Sequence, residues 1–145
     1  MVRMFGGCTP EVVSARAKLR DPWVDRAMTA ELRFDGGHTG RVRTSMWSSD
    51  LLRMSATVIG GEGELRVLNP VVPQIFHRLA VRSADGHRVE RFGRRASYAY
   101  QLDAFVAAVL RGRPVKTTAQ DAVENMTVID EIYRAAGLPL REPTR

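Results

Sequence analysis

Val24-Asp-Arg-Ala-Met-Thr-Ala-Glu-Leu-Arg-Phe34 is followed by Asp35-Gly36-Gly37-His38 and then by Gly40-Arg-Val-Arg-Thr-Ser-Met-Trp47. The first run alternates: Met28, Ala30, Leu32 and Phe34 take one side, and Thr29, Glu31 and Arg33 the other. Successive side chains of a strand point to opposite faces of its sheet, so this pattern predicts a half-buried strand. The second run sets Val42, Thr44 and Met46 against Arg41, Arg43 and Ser45. The Asp-Gly-Gly-His link tolerates a tight reversal, and the pair therefore predicts a β-hairpin with one apolar face.

The same reading extends outward. Pro10 to Leu19 is a leading strand. Met54 to Ile59 and Glu64 to Leu68 flank Gly60-Gly61-Glu62-Gly63, a second hairpin. Ile75 to Val81 and Arg88 to Phe92 flank Ser83-Ala84-Asp85-Gly86, a third. Beyond Ser97 the period changes to that of a helix. Ser97 is placed to cap a helix whose apolar stripe is Tyr98, Leu102, Phe105 and Val109; Gly112 stands at its end and Pro114 blocks continuation. Thr118-x-x-Asp121 resembles a capping box, and Ala122, Met126, Ile129 and Tyr133 form the next stripe, closed by Gly137 and Pro139. Strands followed by helices predict an α+β fold. The expectation is one domain over residues 1–145, with no Rossmann domain. It has one antiparallel sheet of about six strands, spanning about 10–92, and helices at about 97–111 and 118–136 packed on one sheet face.

Composition narrows the function classes. At 145 residues and 44% hydrophobic, the chain is long enough for a core without staples. Cys8 is the single cysteine, so no intrachain disulfide and no cysteine-based metal site is expected. No signal-peptide h-region follows Met1, and no apolar run approaches the ~20 residues of a membrane span. A soluble cytoplasmic protein is expected. The net charge of +6 raises nucleic acid as a partner. Of the 22 basic residues, two are lysines (Lys18 and Lys116), so 20 are arginines; they are scattered from Arg3 to Arg145 with no run above two. Readers of nucleic acid cluster their charge, and the scatter argues against that class.

Individual residues give little chemistry. Gly60-Gly61-Glu62-Gly63 reads as a turn, because a dinucleotide cradle needs its glycines between a strand and a helix. His38 and His87 lie beside turn glycines, His77 lies in a strand, and no H-x-x-x-H spacing occurs, so no metal site is expected. Cys8 has no neighbouring base that would make it a nucleophile. Glu124, Asp130 and Glu131 read as a solvated helix face, and Tyr98 as core. No catalytic residue is assigned.

The carboxy-terminal third carries a resemblance. Ser97-Tyr-Ala-Tyr-Gln-Leu-Asp-Ala-Phe, Gly112-Arg-Pro-Val and Asp121-Ala-Val-Glu-Asn-Met-Thr-Val-Ile-Asp-Glu-Ile-Tyr133 follow one another. Their order resembles the end of the Gfo/Idh/MocA oxidoreductases, where Y-x-x-Q-L-x-x-F, G-x-P-V and D-A-x-x-x-M-x-V-I-x-x-I-Y occur in turn. Ala56 to Val67 resembles that family's G-x-x-G-x-L hairpin, and Phe5-Gly6-Gly7 resembles the end of the helix leading into its substrate domain.

The resemblance implies the substrate-binding and oligomerisation domain of an NAD(P)-dependent sugar or polyol oxidoreductase, truncated and inactive alone. Family members transfer hydride between the nicotinamide C4 and a carbinol carbon with a Lys/His proton relay. Their Rossmann domain brings the Gly-rich turn and an E-K-P lysine, and a D-x-G-x-H helix brings the histidine. None of these motifs is in this sequence. NAD or NADP is therefore implied for the complete enzyme and not for this chain. The resemblance places Tyr100 and Gln101 near a substrate cleft, with Trp47 lining the same cleft or an interface. It also implies a homo-oligomer through the open sheet face, or a separate Rossmann-domain chain as partner. The alternative is a stand-alone α+β dimer that binds a small polar ligand or a protein without redox chemistry.

Overall fold

The computed structural model describes residues 2–46 and 54–140. In chain order the elements are α1 (Val2–Gly6), β1 (Glu11–Asp21), β2 (Val24–Arg33), β3 (Thr39–Ser45), β4 (Ser55–Gly60), β5 (Gly63–Leu68), β6 (Arg78–Ser83), β7 (Gly86–Glu90), α2 (Ser97–Arg111) and α3 (Ala119–Ala135). The fold is α+β with every pairing antiparallel, but the expected single sheet is two: β1-β2-β3 and β4-β5-β6-β7. The chain forms two compact units, Met1–Ser49 with Thr117–Arg145, and Asp50–Lys116. Local periodicity locates strands but does not say where one sheet stops, because each hairpin is internally complete.

The first unit is built on the hairpin of β2 and β3. Met28, Ala30 and Leu32 of β2, with Phe34 beyond it, are buried, as their alternation predicts. Val42 of β3 lies opposite Ala30 and packs on the same cluster. Strand β1 joins through a reversal at Pro22-Trp23, with Asp21 opposite Val24. Between Val12 and Ser14 its register slips by one residue, leaving Val13 exposed. This bulge lets Val12 and Ala15 both face the core despite odd spacing. Burial of Leu32 and Phe34 contributes about 1.5–3 kcal/mol each before entropy is counted.

Helix α1 closes one end of that core. A Cβ at Gly6 would run into the Phe34 ring, so glycine is what lets the backbone approach. His38 stacks on Phe34 at 4.7 Å, and its Nε2–H donates to the Gly6 carbonyl at 3.1 Å. Helix α3 packs on β1. Thr118 caps it, accepting the Asp121 N–H at 3.1 Å, as the sequence predicts, and Gly137 takes the left-handed conformation just past its end.

The buried face of α3 meets the predicted one only at Tyr133, which is half-buried and whose hydroxyl donates to Asp25 Oδ1 at 2.8 Å. Val128 is buried and Ile132 packs on the core, whereas Met126 and Ile129 are exposed. Arg3 explains the rotation. Its side chain is only 18% exposed; Nη1 donates to Asp121 Oδ1 at 2.7 Å, and Nη2 pairs with Glu124. Asp121 and Glu124 therefore turn inward on the face that carries Val128 and Ile132. Glu124, expected on a solvated face, belongs to this cluster. Two carboxylates at the start of a helix also suit its dipole.

The second unit is a four-stranded meander, β4 to β7, with α2. Two-residue turns at Gly61-Glu62 and Ala84-Asp85 join the two predicted hairpins. Asn69 sits at φ 53° between β5 and β6, 2% exposed, and its amide donates to the Val72 and Phe76 carbonyls at 3.0 and 2.9 Å. Helix α2 occupies the predicted span and ends at Gly112 in the left-handed conformation, but its cap is Ala96, and Ser97 Oγ donates to the Val71 carbonyl instead. No residue of α2 is buried. Its stripe of Tyr98, Leu102, Phe105 and Val109 is exposed, Tyr98 by 77%, which corrects the expectation that Tyr98 is core and that α2 packs its stripe on a sheet.

Candidate functional site

Of the three residues assigned to a substrate cleft, Tyr100 and Gln101 lie side by side in sequence on α2. Tyr100 is half-exposed, and its ring lies under the Arg95 guanidinium at 4.8 Å. Arg95 also pairs with Asp103 at 2.6 Å, so this is a local cation–π and ion-pair knot on α2. Gln101 is exposed at the next position. Trp47 lies outside the described residues.

Two of the three histidines hold structure. His77 Nε2 accepts the Phe92 N–H at 2.7 Å, which leaves Nδ1 to carry the proton and donate to the Pro73 carbonyl at 2.7 Å. Both nitrogens are thus engaged. His38 ties the β2–β3 turn to α1. Cys8 is half-buried against the first unit's core, with Sγ 3.9 Å from the Gly6 carbonyl. Among the described residues no three His, Cys, Asp or Glu side chains come together as a metal set.

Gly60 to Gly63 form a hairpin turn between β4 and β5. A Cβ at Gly63 would run into the Arg82 carbonyl of neighbouring β6, so that glycine serves strand packing.

Sequence reasoning missed a feature of the second unit that is concave and polar. A groove of about 390 Å³ is lined by Ser55, Ala56, Thr57, Glu64, Arg66, Val67, Leu68, Arg78, Ala80, Arg82 and His87. Strand register assembles it. Thr57 faces Arg66, which faces Ala80; Glu64 faces Arg82, which faces His87. Alternation placed Arg66, Arg78 and Arg82 on one face of their strands, and only the pairing of β5 with β6 brings them together. Arginines scattered along the chain are therefore clustered in space here.

The pattern of elements has counterparts. The model of the C-terminal alpha/beta domain of the Gfo/Idh/MocA oxidoreductase family matches residues 1–137, and the chain belongs to that family. It is 30% identical over 135 residues to D-xylose 1-dehydrogenase (NADP(+)) 2 of Haloferax volcanii, covering 92% of this chain and 41% of that protein. Among solved structures it resembles KijD10, a 3-ketoreductase from Actinomadura kijaniata in complex with TDP-benzene and NADP. There the TM-score is 0.75 at 20% identity, over 92% of this chain and 42% of that one. It also resembles biliverdin reductase of Synechocystis sp. PCC 6803 in complex with biliverdin and NADP+, with a TM-score of 0.71 at 18% identity, over 94% and 43%. The chain thus spans about two fifths of the length of the relatives it matches.

The described residues do not fit a nicotinamide dinucleotide. Its pyrophosphate needs successive backbone N–H groups at a glycine turn that opens a helix. Gly60 to Gly63 open a strand, and Gly63 is pressed against β6.

Proposed function

We propose that this chain serves as the substrate-binding and oligomerisation domain of an NAD(P)-dependent sugar or polyol oxidoreductase, without redox activity of its own. The family match across residues 1–137, set against relatives more than twice as long, carries this reading. Cofactor and the proton-relay residues come from a Rossmann domain on another polypeptide segment. The exposed stripe of α2 supports it, since an apolar helix face of that kind ordinarily packs on a further surface. Tyr100, Gln101 and Trp47 are the residues of this chain assigned to the substrate side.

Self-association uses the outer face of the three-stranded sheet. That face carries charges of both signs in pairs, Arg33 with Glu11 at 3.0 Å and Arg41 with Glu31 at 2.6 Å, which suits a self-complementary contact. A cytoplasmic setting goes with this role; among the described residues no helix is long and apolar enough to cross a membrane. The groove of the second unit favours, as a second reading, a ligand-binding module without redox chemistry.

The test is a titration of the purified chain with NADH and NADPH, followed by nicotinamide emission, with mass measured in parallel. The expected result is an oligomer whose addition leaves the emission of NADH unchanged up to millimolar cofactor. Saturable enhancement with NADH would overturn the reading.

A further inference from the structure

We propose that the arginine-lined groove of the four-stranded sheet is a binding site for a small phosphate monoester. Arg66 lies directly across from Ala80, and Arg78 and Arg82 flank Ala80 at alternate positions of β6. Cross-strand neighbours are about 5 Å apart at Cβ and diagonal ones about 7–8 Å, so the three side chains rise around one methyl group. That short residue leaves the floor open, and the resulting space of about 390 Å³ is within the range of small-ligand sites.

The charge count fits the ligand. Three guanidinium groups and one carboxylate, Glu64, which pairs with Arg66, leave an excess of two positive charges. A phosphate monoester near neutral pH carries about −1.5 to −2. Among the described residues neither the Arg78 nor the Arg82 side chain has a hydrogen-bond or ion-pair partner, so their forked donors are available for bidentate contact with its oxygens. Thr57, opposite Arg66, adds a hydroxyl on the same face. A second copy of this chain suits the face poorly, because a twofold contact would set arginines against arginines. Nucleic acid suits it poorly too, because the charge is confined to one groove and does not form a track.

The test is a ¹H–¹⁵N correlation titration of the full chain with inorganic phosphate and with phenyl phosphate, against sodium chloride at matched ionic strength. Saturable shifts confined to β5, β6 and β7 are expected, with phenyl phosphate the tighter. Arg78→Gln and Arg82→Gln should each weaken binding about tenfold, in keeping with loss of one charge-assisted hydrogen bond. The double variant should abolish binding while its unliganded spectrum stays that of the folded chain. Shifts reproduced by chloride, or spread over arginines outside the groove, would overturn the proposal. So would tighter, steeply salt-dependent binding of a single-stranded oligonucleotide at these strands, or a rise in mass that protects them. NADH carries no phosphate monoester, so its titration bears only on the function proposed above.

Discussion

Asn69 shows how much one residue can hold. It takes a left-handed backbone conformation, which asparagine tolerates better than most residues, and both amide protons bridge the loop between β5 and β6. Replacement by alanine removes both bonds, leaves the Val72 and Phe76 carbonyls without this donor and adds backbone strain. Asn69→Ala should cost about 2–4 kcal/mol in chemical denaturation of the second unit. Asn69→Gly, which loses the same bonds but keeps the conformation without strain, should cost less; equal losses would show that the left-handed backbone contributes nothing and that the lost side-chain bonds account for the cost. Gly63 is the counterpart without a side chain. At φ 153° and with the Arg82 carbonyl where a Cβ would go, Gly63→Ala should loosen β5 from β6, read as faster amide exchange along both strands. Unchanged exchange would mean that the close approach is not needed. The Gly63 constraint was not visible in the sequence, since it depends on the Arg82 carbonyl that β6 brings alongside; the Asn69 bonds stay within seven residues, but no pattern of residue types marks which carbonyls the loop turns toward the amide.

At the scale of elements, the hairpins were legible because turn chemistry and alternation agree within a few residues. Leu32 and Phe34 could be assigned to a core from period alone. Helix α2 was legible as a helix, with its span and its Gly112 stop, but not as an exposed one. A stripe records that a partner surface exists and says nothing about which molecule or segment supplies it. The rotated face of α3 was hidden for a different reason. Hydrophobicity ranks Met126 and Ile129 above Asp121 and Glu124, and only Arg3, more than a hundred positions away, makes the acidic face the inward one. The two helices therefore respond differently to mutation. Leu102→Gln with Phe105→Gln on α2 should shift the thermal midpoint little, since exposed positions usually change stability by under ~0.5 kcal/mol each, and should leave self-association through the three-stranded sheet unchanged. Leu32→Ala on β2 should cost about 2–5 kcal/mol. A large loss from the α2 pair would mean that the stripe is already covered.

For the whole molecule, the distribution of buried apolar residues is uneven. Met28, Ala30, Leu32, Phe34 and Val128 all belong to the first unit, while among the described residues of the second unit Asn69 alone is buried. Main-chain bonds and half-covered side chains hold the second unit, so it should open at lower free energy. Amide exchange should be slowest along β2 and faster across β4 to β7; equal protection in both sheets would contradict this. The candidate site had the same kind of invisibility as the unit boundary. Tyr100, Gln101 and Trp47 were placed by family resemblance, whereas the groove arises from pairing of β5, β6 and β7, which no short window of sequence contains.

The first unit is drawn from both ends of the chain, and the second is one uninterrupted stretch between them. During translation the middle stretch is therefore complete while the first unit still waits for α3. Until that helix leaves the ribosome, the core face of β1 to β3 lacks Ile132, and its apolar row stands open to water or to a chaperone. The last of these elements to be synthesised is thus the one that seals the better-packed unit, and a nascent chain stalled before Thr118 would carry an unsealed sheet.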